Sequence, residues 1–185
     1  RPIAVQECRR RTQGANCNFR IQVDPNPNAP VNAFQSRDDD GRPVITFTSS
    51  LILTVRNTDE LAFVMGHEAA HHILGHIDRQ AVNAATGAAI FGELASITGV
   101  TGQAAETAKE LGAVVGARSY SKEFELEADE LGTVITLQGG YNPVVGAKFF
   151  TLLPDPGNRF LGTHPPNTER VETVRRTAAR YGVTG

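Results

Sequence analysis

The chain has 185 residues, a formal net charge of -2 and an isoelectric point near 6.2. This length predicts one domain with a substantial core, and the absence of a basic excess argues against a nucleic-acid partner. No apolar run reaches the roughly 18 residues that a membrane-spanning helix needs. The best candidate, residues 80–92, is interpreted as a buried or packed helix rich in alanine and glycine.

The N-terminal segment is polar and basic, and residues 1–18 are predicted to lie on the surface. It holds both cysteines, Cys8 and Cys17, whose close spacing and even number favour a disulfide bond in an oxidising compartment. Two free thiols in a cytosolic protein are the alternative, and the spacing does not suit zinc. The chain begins at Arg1 without Met, so we expect a removed signal peptide and a secreted or periplasmic protein.

Strand patterns come early in the chain and helix patterns come late. Alternating or β-branched runs predict strands at residues 19–23, 31–34 and 44–48, with a hairpin turn at 38–41. The predicted helices are residues 49–55, 61–77, 79–91, 103–117, 121–138, 143–152 and 168–181. This order predicts an α+β domain with a small mixed or antiparallel sheet.

The helix at 61–77 carries a His-Glu-x-x-His pattern at His67, Glu68 and His71. Asn57 is expected to cap this helix, with Glu60 reaching back to its first turn. Imidazoles four residues apart lie about 40° apart on a helix, so both can bind one metal ion. Glu68 lies about 100° from His67 and is placed to contact a metal-bound water instead. A buried helix whose histidines only find hydrogen bonds is the alternative.

A catalytic zinc usually has three protein ligands, so a third must come from elsewhere in the chain. The metzincin pattern fails because Gly75 and His76 are each one residue out of place. His76 is also expected to point away from His67 and to lie near the end of its helix. A carboxylate from another helix is therefore expected.

The helix at 121–138 offers two pairs of acidic residues at a spacing of four. In the first pair, Glu125 can bind the metal while Asp129 accepts a hydrogen bond from a ligand histidine and orients it. Glu123 and Glu127 form the second pair, so spacing alone does not decide between them. Glu123, Glu127 and Glu130 are interpreted as a solvated face.

Several segments, in the same order, resemble gluzincin zinc metallopeptidases of the HtpX and CaaX prenyl endopeptidase type. The matching segments are Asn32-Ala33-Phe34, Asp59-Glu60-Leu61-Ala62 leading into His67–His71, Ser121-Lys122, Glu125–Asp129, and Thr163-His164-Pro165-Pro166 with Arg170. The resemblance implies a gluzincin fold, Glu125 as the third zinc ligand and His164 in the active site. Well-known members carry transmembrane helices, often between the two ligand helices. Charges interrupt that interval here, so the chain looks like a soluble, minimal catalytic domain.

Several other residues have more than one possible role. His164 precedes two prolines that hold it extended, and it either stabilises an oxyanion or binds zinc in a resting state. Arg170 hydrogen-bonds the His164 loop or a substrate carbonyl, or lies on a surface helix. Tyr120 and Tyr141 are candidate oxyanion donors that nothing in the sequence selects. His72 is interpreted as a packed histidine.

These patterns together predict a zinc endopeptidase with one zinc per chain and a polypeptide substrate. Glu68 is the expected general base, and the substrate is expected to lie extended against a strand at Asn32, Ala33 and Phe34. The alternatives are a non-catalytic assembly factor or chaperone that uses the zinc fold for binding, and a latent enzyme. In the latent enzyme, His164 or the N-terminal segment blocks the open position of the metal.

Overall fold

The computed structural model of the chain describes residues 1–119, 121–155, 157 and 164–184. The elements in order are α1 (Pro2–Arg11), β1 (Arg20–Asp24), β2 (Ala33–Arg37), β3 (Pro43–Thr48), α2 (Ser49–Thr54), α3 (Thr58–Ile73), α4 (His76–Ile97), α5 (Gln103–Ser119), α6 (Ser121–Gln138), α7 (Pro143–Gly146) and α8 (Asn167–Ala179). A 3-10 helix at Ala147–Leu152 continues α7. The predicted α+β fold is confirmed, since all the described strands precede the main helices.

The sheet is small, mixed and ordered β1-β3-β2. The central strand β3 is buried along its whole length and pairs parallel with β1 and antiparallel with β2. The predicted hairpin turn joins β2 to β3, where the Gly41 amide donates to the Asp38 carbonyl at 2.9 Å. Gly41 has φ +71°, a conformation that favours glycine. In this order β2 is an edge strand.

The N-terminal segment differs from the predicted surface segment at residues 1–18. Pro2–Arg11 forms helix α1, in which Ala4, Glu7 and Cys8 are buried. Ala4 and Cys8 lie four residues apart, so they share the face that packs into the core. The arginines of the last turn are exposed, and two of them, Arg10 and Arg11, pair with the Glu7 carboxylate. The basic composition therefore described one face of an amphipathic helix.

The predicted disulfide joins Cys8 of α1 to Cys17, with Cα atoms 5.7 Å apart. The residue before Cys17 is held from another direction, because His72 Nε2 lies 2.8 Å from the Asn16 carbonyl oxygen. His72 is buried edge-on against Phe19, at 5.4 Å between ring centroids. It is thus a packed histidine that ties the N-terminal segment to α3.

Helices α3 and α6 cross at two glycines. A Cβ on Gly66 would lie 2.8 Å from the Gly132 carbonyl oxygen, and one on Gly132 would lie 2.9 Å from the His67 amide nitrogen. Only glycine permits this separation of the two backbones, which brings His67 against the side chains of α6.

The predicted helix at 61–77 is two helices. It ends at Ile73, and Gly75, with φ +67°, turns the chain so that His76 begins α4. A residue in the left-handed conformation ends the helical hydrogen-bond pattern, and glycine adopts this conformation without strain. His76 therefore lies at the start of a helix, and the expectation that it ends one is wrong.

Helices α4 and α5 form a hairpin held together by small residues. Gly87 packs on Gly112, and Gly116 packs on the backbone of Asn83. The expectation of a packed alanine-glycine helix is right, but most of α4 is exposed rather than buried. The exposed large apolar residues of the hairpin are Ile77, Val82, Ile90, Leu94, Ile97, Val100, Leu111 and Val114. Within the described ranges, no helix has the combined length and hydropathy that crossing a bilayer requires.

Candidate active site

Helix α3 presents the two histidines of the His-Glu-x-x-His pattern to a common point. Asn57 caps the helix by accepting from the Glu60 amide at 3.0 Å, as predicted. The Glu60 carboxylate reaches back to the amide of Arg56 rather than to that of Asn57. One turn apart on this helix, His67 Nε2 and His71 Nε2 approach to 3.0 Å. Both rings therefore direct the same nitrogen to one place.

Glu125 of α6 completes a cluster with these two nitrogens. Its Oε2 lies 3.5 Å from His67 Nε2, and its Oε1 lies 3.4 Å from His71 Nε2. One donor atom from each residue lies within 4.8 Å of the other two, close enough for a single metal ion. Two imidazole nitrogens and a carboxylate oxygen are a donor set that suits zinc. The structure thus brings together the three candidate ligands that the sequence and the resemblance indicated.

The charge state of Glu125 also suits a cation. Burial raises the pKa of this carboxyl, but hydrogen bonds from His164, His67 and His71 hold it well below its usual range. Of the other acidic residues on α6, Glu123 is exposed and Glu127 pairs elsewhere. The register of α6 therefore turns Glu125, and not Glu123 or Glu127, towards His67 and His71.

Asp129 contacts Nδ1 of His67, and Arg170 holds the Asp129 carboxylate in place. The fully buried Asp129 places Oδ1 2.9 Å from His67 Nδ1. Arg170 donates to both oxygens of Asp129, at 2.8 and 2.7 Å, and its guanidinium carbon lies 3.8 Å from the centroid of the Phe150 ring. Burial and the charge of Arg170 lower the pKa of His67, but hydrogen bonds to Asp129 and Glu125 outweigh both and raise it to about 10. This site favours a positive charge where the metal would lie.

His71 has a different set of partners, which the sequence did not indicate. Its Nδ1 lies 2.8 Å from Nδ1 of His76, and His76 Nε2 lies 3.0 Å from Oε2 of Glu127. Glu127 in turn accepts from Arg79 of α4. Burial lowers the pKa of His76 to about 4, against its hydrogen bond to Glu127. The sequence held one signal for this arrangement, Gly75, which separates His71 from His76. A glycine after an apolar helical run often marks the end of the helix.

The side chains of His67, His71 and Glu125 line a cleft of about 470 Å³. One side is the edge of β2 with the residues before it, including Asn32, Ala33 and Phe34. Apolar side chains also line the cleft, among them Leu51, Phe63, Val64, Phe149, Phe150 and Leu153. Glu68 lines the same cleft beside His67, and its burial raises the pKa of the carboxyl.

His164 lies at the mouth of the cleft. Its Nδ1 is 3.1 Å from Glu125 Oε2, and 54% of its side chain is exposed. Arg170 also lines the cleft, although its main contacts are the carboxylates of Asp129 and Glu125. Tyr141 follows the end of α6 and does not line the cleft. Tyr120 and Thr163, which precede α6 and His164, lie outside the described residues.

The fold and this cluster are those of a metallopeptidase domain. Residues 5–178 match the model of peptidase family M48, and the chain therefore belongs to that family. It is also 32% identical over 150 residues to a protein of Vibrio cholerae serotype O1 named beta-barrel assembly-enhancing protease. The match covers 74% of this chain but only 31% of that relative, so the chain spans about a third of its length.

Proposed function

We propose that this domain is a zinc-dependent endopeptidase that binds one zinc ion through His67, His71 and Glu125. The convergence of two Nε2 atoms and an ionised carboxylate inside a cleft is the observation that carries the proposal. A catalytic zinc typically has three such ligands and one open position. When bound, the metal would lower the pKa of a water molecule and polarise the scissile carbonyl.

Glu68 is the proposed general base. Glu68 does not belong to the cluster of His67, His71 and Glu125. It lines the same cleft next to His67, and burial raises the pKa of its carboxyl. A carboxylate with a raised pKa takes a proton from the attacking water and delivers it to the leaving amine more readily. A structural zinc site needs no base, so Glu68 argues against a non-catalytic assembly factor or chaperone.

The proposed substrate is an extended polypeptide with a bulky apolar side chain. The exposed edge of β2 offers main-chain hydrogen bonds to such a strand, next to Asn32, Ala33 and Phe34. The apolar lining around Phe63 and Phe149 favours a hydrophobic side chain. His164 at the cleft mouth is the proposed donor to the developing oxyanion.

The disulfide supports a compartment outside the reducing cytosol. Cys8 and Cys17 are joined in a short loop, and such bonds persist in secreted and periplasmic proteins. We therefore propose a secreted or periplasmic location for the domain.

The proposal is tested by measuring cleavage of fluorogenic peptides that contain large apolar residues. Chelation should abolish cleavage, and one equivalent of zinc should restore it. The Glu68→Gln variant is the matched control, since it should retain one zinc per chain and lose activity by orders of magnitude. A protein that binds stoichiometric zinc and cleaves no peptide would contradict an active endopeptidase.

A further inference from the structure

His76, at the start of α4, contacts the ring nitrogen of His71 that is not proposed to bind zinc. His76 is buried, with 4% of its surface exposed, and its Nδ1 lies 2.8 Å from Nδ1 of His71. The other nitrogen, Nε2, lies 3.0 Å from Oε2 of Glu127. His76 is therefore enclosed between two partners, one at each ring nitrogen.

The positions of the protons follow from these partners. Two ring nitrogens can share a hydrogen bond only when one carries a proton and the other does not. If His71 binds the metal through Nε2, its neutral ring carries the proton on Nδ1 and donates to His76. His76 then carries its own proton on Nε2 and donates it to Glu127. One set of tautomers satisfies every nitrogen in the series.

The series is held by packing as well as by hydrogen bonds. The His76 ring stacks on Phe124, with centroids 4.6 Å apart and an interplanar angle of 11°. Arg79 binds the Glu127 carboxylate and lies 4.2 Å from the centroid of the Phe124 ring. Rotation of the His76 ring out of this plane would break the stacking together with both hydrogen bonds.

His67, the other proposed ligand histidine, has a similar pair of partners. His67 donates from Nδ1 to Asp129, and Arg170 holds that carboxylate. Partners of this kind fix the ring orientation and tautomer of a metal-binding histidine, and their removal usually costs about 10–100-fold in metal affinity. At His71, Nδ1 contacts His76 instead, and the carboxylate of Glu127 lies on the far side of the His76 ring.

We propose that His76 and Glu127 are positioning residues for the metal centre, which orient His71 and fix its tautomer so that Nε2 faces the ion. This inference rests on the proposed function, because it requires His71 to be a metal ligand. It assigns a role to Gly75 as well, since the turn there brings His76 beside His71.

The test compares His76→Phe, which keeps a stacking ring, with His76→Gln, which keeps both an acceptor and a donor. Zinc affinity is measured by competition with a chromophoric chelator, and geometry by the visible spectrum of the cobalt(II) form. Thermal unfolding of the metal-free proteins controls for stability. Glu127→Ala tests the outer partner, with Glu123→Ala as the matched control on the same helix.

His76→Phe should weaken zinc binding about 10–100-fold and change the cobalt spectrum, and His76→Gln should recover most of the affinity. Glu127→Ala should weaken binding in the parent but add nothing in the His76→Phe background, because it acts through His76. Parent-like affinity and spectrum in His76→Phe would overturn the inference. So would equal losses in His76→Phe and His76→Gln that match their losses of metal-free stability. Failure of the parent itself to bind zinc would instead refute the proposed function.

Discussion

Replacing Gly132 by alanine places a methyl group where α3 and α6 are closest. The new Cβ would lie 2.9 Å from the His67 amide nitrogen and 3.0 Å from its Cα. Ordinary contacts of a Cβ begin near 3.4 Å, so the helices must separate by roughly half an ångström. Overpacking of this kind costs about 1–3 kcal/mol. Asp129 lies one turn earlier on α6, so the same displacement stretches its 2.9 Å contact with His67.

The assay combines chemical unfolding of the metal-free protein with zinc competition. We expect Gly132→Ala to lose about 1–3 kcal/mol of unfolding free energy and to bind zinc about 10–100-fold more weakly. Gly92→Ala is the matched control, because the three atoms nearest to its Cβ all belong to the flexible side chain of Lys109 and none to a helix backbone. Alanine favours a helix over glycine by about 0.5–1 kcal/mol, so this control should be neutral or more stable. Equal stability and zinc affinity in the two variants would refute the argument that the crossing positions the site.

Three further predictions concern the site itself. Glu125→Ala should abolish stoichiometric zinc binding and Glu123→Ala should not, as metal analysis will show; the reverse result would mean that the ligand register on α6 is wrong. His164→Ala should reduce turnover about 100-fold with zinc retained if the histidine is an oxyanion donor, whereas increased turnover would identify it as a blocking group. The raised pKa of His67 means that its protonation stabilises the metal-free fold below pH 6.5 and that this stabilisation is lost as the pH rises towards 10. Because zinc replaces this proton, the zinc-induced rise in melting temperature should increase over that range, and a pH-independent rise would contradict the assignment.

The parts of the fold that depend on local sequence could be predicted. The strand patterns, the Asn57 cap and the pairing of His67 with His71 all reflect spacings of a few residues. The contact between Asp129 and Arg170 spans 41 residues, so the sequence could not place that guanidinium against that carboxylate. Spacing alone left two acidic pairs on α6 open, and only the way α6 packs against α3 separates them.

The errors have local physical causes. Apolar residues continue from α3 into α4, and the expected single helix followed that composition across Gly75. The positive φ of Gly75 overrides it. At the other end of the chain, the basic run of α1 concealed the buried pair of Ala4 and Cys8. In both places the average polarity of a segment was less informative than the side on which each residue lies.

The α4–α5 hairpin has a consequence for how the domain opens. Few of its residues are buried, namely His76, Gly87 and Ala95 of α4 and Gly112 of α5, whereas α3 and α6 contribute much of the central core. Segments that bury little apolar surface open at lower free energy than the global unfolding reaction. Backbone amides of the hairpin should therefore exchange with deuterium well before those of α3 and α6. We therefore expect the domain to join a slowly exchanging scaffold, which carries His67 and Glu125, to a faster-exchanging arm whose first residue is His76.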